Sequence, residues 1–187
     1  MGRSLWPVVS DWPGFRALGG EALKAVVVYE SLWGNTAAVA RAVAEGLGPD
    51  VRALSTAEAS GPAIDGLDLI VAGAPVLGFQ LPSERMRDSI ASNPAGAPRP
   101  PDLSHPSMRS WLEGLPAGHG AGASFETGFR WSPGGATSAI SRGLERAGYR
   151  PLVKGQRFLV KGKWGPLREG ELERARRWGA ELTHTRG

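Results

Sequence analysis

The sequence predicts an α/β domain in which a parallel β-sheet is flanked by helices. Three observations carry that prediction. Short apolar runs alternate with helical patterns along most of the chain, and strands separated by helices pair in parallel. Ala25–Tyr29 reads Ala-Val-Val-Val-Tyr, the continuous apolar pattern of a strand buried on both faces. A short polar loop leads from it into an Ala-rich segment, where Val39, Val43 and Leu47 recur at i, i+4 and i+8.

The remaining elements follow in order. Residues 1–23 contain Trp6, Pro7, Trp12, Pro13 and a Gly-Gly pair without a period, and read as an N-terminal extension before a domain at 24–187. Asp50–Leu54 is a short second strand and Gly66–Gly73 a third, buried one. Pro82 opens a helix running to Ile90, because proline suits the first helical position. The Pro-rich stretch 92–107 is a loop, and a short helix over 106–115 carries Trp111 and Leu112. Gly120–Glu126 is a fourth strand. Ser132-Pro133 caps a helix that continues to Arg146 and stops at Gly148. Arg150–Val153 and Arg157–Val160 make a fifth strand with a break near Gly155. A last amphipathic helix, 169–183, aligns Leu172, Ala175, Trp178 and Leu182 on one side.

Composition narrows the function classes. A chain of 187 residues can bury a full core as one domain. The absence of Cys excludes disulfides, thiolate metal sites and Cys nucleophiles. Leu67–Leu81 is the longest apolar stretch, but it contains Asp68 and falls short of the roughly 20 residues of a membrane helix. The N-terminus lacks a signal-peptide pattern, so the expected location is cytoplasmic. Net charge is +4, with Arg and Lys concentrated after residue 129. They form no compact basic run with interleaved aromatics, which argues against nucleic acid as a partner. His105, His119 and His184 share no ligand spacing, so no metal site is expected. No nucleophile, base and acid stand in a recognisable arrangement.

The chemistry concentrates in residues 31–36. A strand, tight loop and helix in that order aim backbone N–H groups and a helix dipole at one point, a ready anion site. Ser31 and Thr36 add hydroxyls, and Gly34 lets the backbone approach a ligand. The loop has no Lys, which excludes the nucleoside-triphosphate loop, and it lacks the glycine spacing of a dinucleotide fingerprint. Pro116–Ala123 has glycines near that spacing, but it precedes its strand. A phosphate monoester, held without a cationic side chain in the loop, fits best.

Ser31-Leu-Trp-Gly-Asn-Thr36 resembles the FMN-phosphate loop of flavodoxins, Ser/Thr-x-Ser/Thr-Gly-Asn-Thr. With an aromatic before the glycine it is most similar to the flavodoxin modules of flavodiiron proteins and of actinobacterial flavodoxin-domain proteins. Trp33 stands where the middle hydroxyl belongs, so one phosphate contact is lost or taken over by backbone. The resemblance covers residues 24 to about 184. It implies a flavodoxin-like three-layer α/β fold with a five-stranded parallel sheet in the order 2-1-3-4-5. Ligands of that fold bind outside the carboxyl ends of the strands.

The resemblance also implies an FMN site assembled from three loops. The phosphate loop supplies Ser31, Leu32, Trp33, Gly34, Asn35 and Thr36. The loop after the third strand, Ala74 to Phe79, corresponds to the first isoalloxazine loop and supplies Pro75, Val76, Leu77, Gly78 and Phe79. Val76 and Leu77 replace the Thr and aromatic that are common there. The loop after the fourth strand supplies Thr127, Gly128, Phe129 and Trp131, following a Glu126-Thr127 pair similar to the acidic-Thr pair of some relatives. A flavin brings its own redox chemistry, so the lack of catalytic side chains agrees with this reading.

Two function classes stand on these residues. One is an FMN-binding protein in electron transfer, or a small flavin-dependent oxidoreductase of quinone-like or porphyrinogen substrates. The other is a flavodoxin-fold module that has lost FMN and acts as a binding or regulatory partner, for which Trp33, Val76 and Leu77 are the evidence. The family's electron shuttles are typically acidic, whereas this chain is basic, which points to an acidic redox partner.

Overall fold

Val27 and Val28 have no exposed surface, because strand β1 (Ala25–Tyr29) lies inside the sheet with a neighbour on each side. A computed structural model describes residues 23–93 and 96–185 of the chain. The extension read at 1–23 therefore falls almost wholly outside the described residues. Helix α1 (Asn35–Leu47) follows β1, then β2 (Arg52–Ser55), β3 (Leu69–Pro75), α2 (Glu84–Ser92), α3 (Met108–Glu113), β4 (Ala121–Gly128), α4 (Thr137–Arg146), β5 (Arg150–Pro151), β6 (Gln156–Leu159) and α5 (Glu171–His184). All strand pairs are parallel, in the order β2-β1-β3-β4-β5, with β6 also on β4. This is the flavodoxin-like order expected from the sequence.

Strand alternation sorts the core into two layers. Val26, Val28, Ile70 and Ala72 face Trp111, Leu112, Ile140 and Leu144 of α3 and α4. Val27, Leu69, Val71 and Phe125 face Val39, Val43, Ala175 and Trp178 of α1 and α5. Phe125, Phe158 and Trp178 meet edge to face at centroid distances of 6.0–6.3 Å, an arrangement favoured by the ring quadrupoles. Trp111 also satisfies its polar atom, donating from Nε1 to the Ala59 carbonyl at 2.7 Å.

Several local expectations are corrected. Pro82 is not the first helical residue: Ser83 caps α2, its Oγ accepting from Met86 N at 3.3 Å. Ser132-Pro133 does not cap α4, whose N-cap is Ala136. The Glu126 carboxylate of β4 caps it, accepting from Ala136 N and Thr137 N at 2.5 and 2.9 Å. Leu172 is 42% exposed, and Glu171, Ala175, Trp178, Gly179 and Leu182 form the buried stripe of α5. The fifth strand is broken as read, and its two pieces occupy successive parts of the β4 edge.

The break has a steric cause. At Gly155 the chain passes so close to α4 that a Cβ would lie 2.5 Å from Thr137 Cβ.

Candidate functional site

The carboxyl ends of β1, β3 and β4 open into one cleft. Ser31, Leu32, Trp33, Asn35, Thr36, Pro75, Val76, Leu77, Thr127, Gly128 and Phe129 line it, together with Val160 and Lys163. The structure thus brings most of the sequence-derived set together. Gly34, Gly78, Phe79 and Trp131 belong to the same loops but do not line the cleft. Two boundaries shift: Pro75 ends β3 and Thr127-Gly128 end β4, so these residues sit on rigid strands instead of loops. Val76 N extends the ladder by donating to the Thr127 carbonyl at 2.9 Å.

The loop at residues 31–36 is built around an uncapped helix. Gly34 is the N-cap of α1 at φ 89°, and no side chain accepts from the helix. The first N–H groups of α1 therefore have no acceptor within the helix, and they stand beside the dipole's positive end. Gly34 is favoured by that positive φ, which L side chains rarely adopt.

Hydroxyls complete the donor set. Ser31 Oγ accepts from Gly34 N at 3.1 Å, leaving its own O–H free to donate. Thr36 and Thr127 share a buried 2.8 Å hydroxyl–hydroxyl bond. One bond uses one of the two protons, so the pair keeps an O–H to donate elsewhere. The Trp33 indole N–H is buried with no hydrogen-bond partner among the described residues. A buried donor left unpaired costs free energy, about 1–3 kcal/mol. These spare donors fit an anionic group such as a phosphate.

The two loops expected to meet a flavin ring are fastened to each other. Leu77 and Gln80 exchange both backbone hydrogen bonds at 3.0 Å around Gly78 and Phe79. Their φ angles of 51° and 67° mark a tight hairpin turn with both central residues left-handed. Phe79 is thus a non-Gly residue in an uncommon conformation, 60% exposed. Gln80 bridges to Gly135 in the loop after β4. Arg157 holds that second loop by donating to the carbonyls of Phe129, Ser132 and Gly134 while paired with Glu126. Phe129 and Trp131 beside it are 44% and 85% exposed.

Behind the 31–36 loop lies a polar scaffold that no sequence motif announces. Glu30, fully buried, pairs with Arg87 of α2 and accepts from Met108 N at 2.9 Å. Arg87 also donates to the carbonyls of Leu103 and His105. Asp102 N bonds the Leu32 carbonyl at 2.8 Å, and His105 Nε2 lies 3.4 Å from the Ser31 carbonyl. The Ser104 hydroxyl bond holds the Asp102 carboxyl below its ordinary range. Segment 99–108 thereby braces the outer side of the loop. Among the described residues no group of three or more His, Asp or Glu could hold a metal ion, and no helix is long and apolar enough to cross a membrane.

Comparison with known proteins defines the fold. No protein-family model matches the chain, and no curated protein matches it in sequence. Among solved structures, a flavodoxin from the domain Archaea is similar at 21% identity and a TM-score of 0.60, over 87% of this chain and 97% of that one. Flavodoxin 1 of Bacillus cereus is similar at 15% identity and 0.58, over 86% and 97%. Rubredoxin oxygen:oxidoreductase of Desulfovibrio gigas is similar at 16% identity and 0.53, but the match takes only 36% of that longer chain. The chain has the flavodoxin-like fold.

Proposed function

We propose that the protein binds FMN in this cleft and acts in electron transfer or as a small flavin-dependent oxidoreductase. The uncapped N-terminus of α1 supports the reading most directly: it offers N–H groups and spare Ser31 and Thr36/Thr127 protons where three parallel strands end. Ser31 to Thr36 would hold the phosphate, and Pro75 to Phe79 with Thr127 to Trp131 would flank the ring. Bound FMN would supply the redox chemistry, while the chain positions it and sets its polarity.

Fluorescence titration with FMN and riboflavin tests this assignment. FMN is expected to bind much more tightly, since riboflavin lacks the phosphate. Thr36→Ala removes a hydrogen bond to a charged group, about 1.5–3 kcal/mol, and is expected to loosen FMN by about tenfold to a hundredfold. Equal affinity for the two flavins would rule the site out. The competing reading, a module without flavin, draws on Trp33 replacing a hydroxyl and on Val76 and Leu77 lining the ring side. The same titration decides between them.

The basic charge concentrated after residue 129 supports an acidic redox protein as the partner, with a small quinone-like substrate as the other option. Arg130, Lys154, Lys161 and Lys163 are exposed, whereas Arg157 is committed to Glu126 and to loop carbonyls. Exposed charges of one sign steer partners of the other, screened over about 8 Å at physiological ionic strength. Reduction by an acidic donor in stopped flow is expected to slow clearly as salt rises. A rate indifferent to salt would remove this partner class.

A further inference from the structure

Lys163 is the only charged side chain lining the cleft among the described residues. It takes part in none of their salt bridges. The segment that carries it is fixed. Beyond β6, Val160 and Leu167 pair antiparallel, and Lys161 N donates to the Pro166 carbonyl at 2.8 Å, so residues 161–166 form a strap.

Two residues of the phosphate loop fasten that strap. Asn35 Nδ2 donates to the Trp164 carbonyl at 3.1 Å. The Trp33 and Trp164 rings meet edge to face at 4.5 Å. Gly165 lies so near that a Cβ would be 2.5 Å from Asn35 Nδ2. Lys163 Nζ sits 4.3 Å from the centroid of the same Trp164 ring.

We propose that Lys163 is the phosphate-pairing cation of this site, carried to it by the strap. The proposal rests on the FMN reading. A helix N-terminus supplies about half a positive charge, whereas a phosphate monoester carries about −1.5 to −2 at neutral pH. The neutral donors of residues 31–36 leave most of that charge unmatched, the loop has no cation of its own, and the adjacent Arg99 guanidinium donates to the Trp33 carbonyl and does not line the cleft. Resting on an aromatic face is a weak, exchangeable hold for an ammonium. The flexible lysine stem lets Nζ move from the Trp164 ring to a phosphate oxygen without moving the strap. Trp33, the departure from the hydroxyl pattern, is thus also the anchor for the segment that brings the charge.

Titration of the full chain, its Lys163→Met variant and its Lys163→Arg variant with both flavins tests the assignment. Lys163→Met is expected to loosen FMN about tenfold while leaving riboflavin affinity unchanged, and to weaken the salt dependence of FMN binding. Lys163→Arg is expected to keep most of the FMN affinity. An equal loss for both flavins would place Lys163 at the ring and overturn the proposal, as would an unchanged FMN affinity in Lys163→Met. A wild-type chain that does not prefer FMN over riboflavin fails the cofactor reading itself, a result independent of the variants.

Discussion

Arg87→Met is expected to lower stability by about 3–5 kcal/mol, the range for removing one partner of a buried ion pair. The Glu30 carboxylate has no exposed surface and Arg87 only 5%. Without the guanidinium, one Glu30 oxygen keeps the Met108 N–H and the other loses its salt-bridge partner. The carbonyls of Leu103 and His105 lose a donor as well. Glu30→Gln with Arg87→Met is expected to lose less than Arg87→Met alone, because the stranded charge is gone. Denaturant unfolding of the two single variants and the double variant gives that coupling directly. A loss under about 1 kcal/mol for Arg87→Met, or additive losses, would mean that water replaces the pair. The site is expected to respond too, since Glu30 directly precedes Ser31 and Arg87 braces the segment bonded to the Leu32 carbonyl.

That scaffold marks where the sequence stopped being informative. The strand, loop and helix around residues 31–36 are legible because their determinants are local: a Val-rich strand, a polar turn and a helix follow one another within 23 residues, 25–47. The parallel sheet is legible in the alternation of elements, its order in the resemblance to flavodoxins, and the break in Gly155. Glu30 and Arg87 are 57 positions apart, and neither residue type at its position suggests burial. Ser132-Pro133 has the local pattern of a cap, whereas α4 takes its cap from Glu126 of β4, ten residues before Ala136. Lys163 belonged to a general basic tail until the strap brought it to the cleft. Leu172 failed for a different reason: the buried stripe of α5 begins one residue earlier, at Glu171, whose carboxylate accepts from Leu159 N at 2.6 Å.

The same contrast between local pattern and long-range contact gives the second large effect. Gly46→Ala is expected to cost about 2–3 kcal/mol net, although alanine is the better helix former by about 1 kcal/mol. Gly46 of α1 and Gly179 of α5 lie where the two helices touch backbone to backbone. A Cβ on Gly46 would be 2.0 Å from the Arg176 carbonyl oxygen, and one on Gly179 would be 2.3 Å from that of Val43. A carbonyl oxygen inside a helix cannot rotate away, so the added methyl forces the helices apart. Overpacking of this kind typically costs 1–3 kcal/mol and sometimes more. Gly179→Ala is expected to behave alike, and the double variant to lose less than the sum, since one separation of the helices accommodates both methyls. Arg177→Ala, at an exposed position of α5, is the control and is expected to stay within about 0.5 kcal/mol. Because α1 starts at the 31–36 loop, a displaced α1 moves its free N–H groups, and the proposed preference for FMN over riboflavin is expected to shrink with the stability. Unfolding midpoints for Gly46→Ala and Gly179→Ala equal to that of the wild-type chain would show that the helices separate freely at this crossing. The cleft would then owe its shape to the sheet alone.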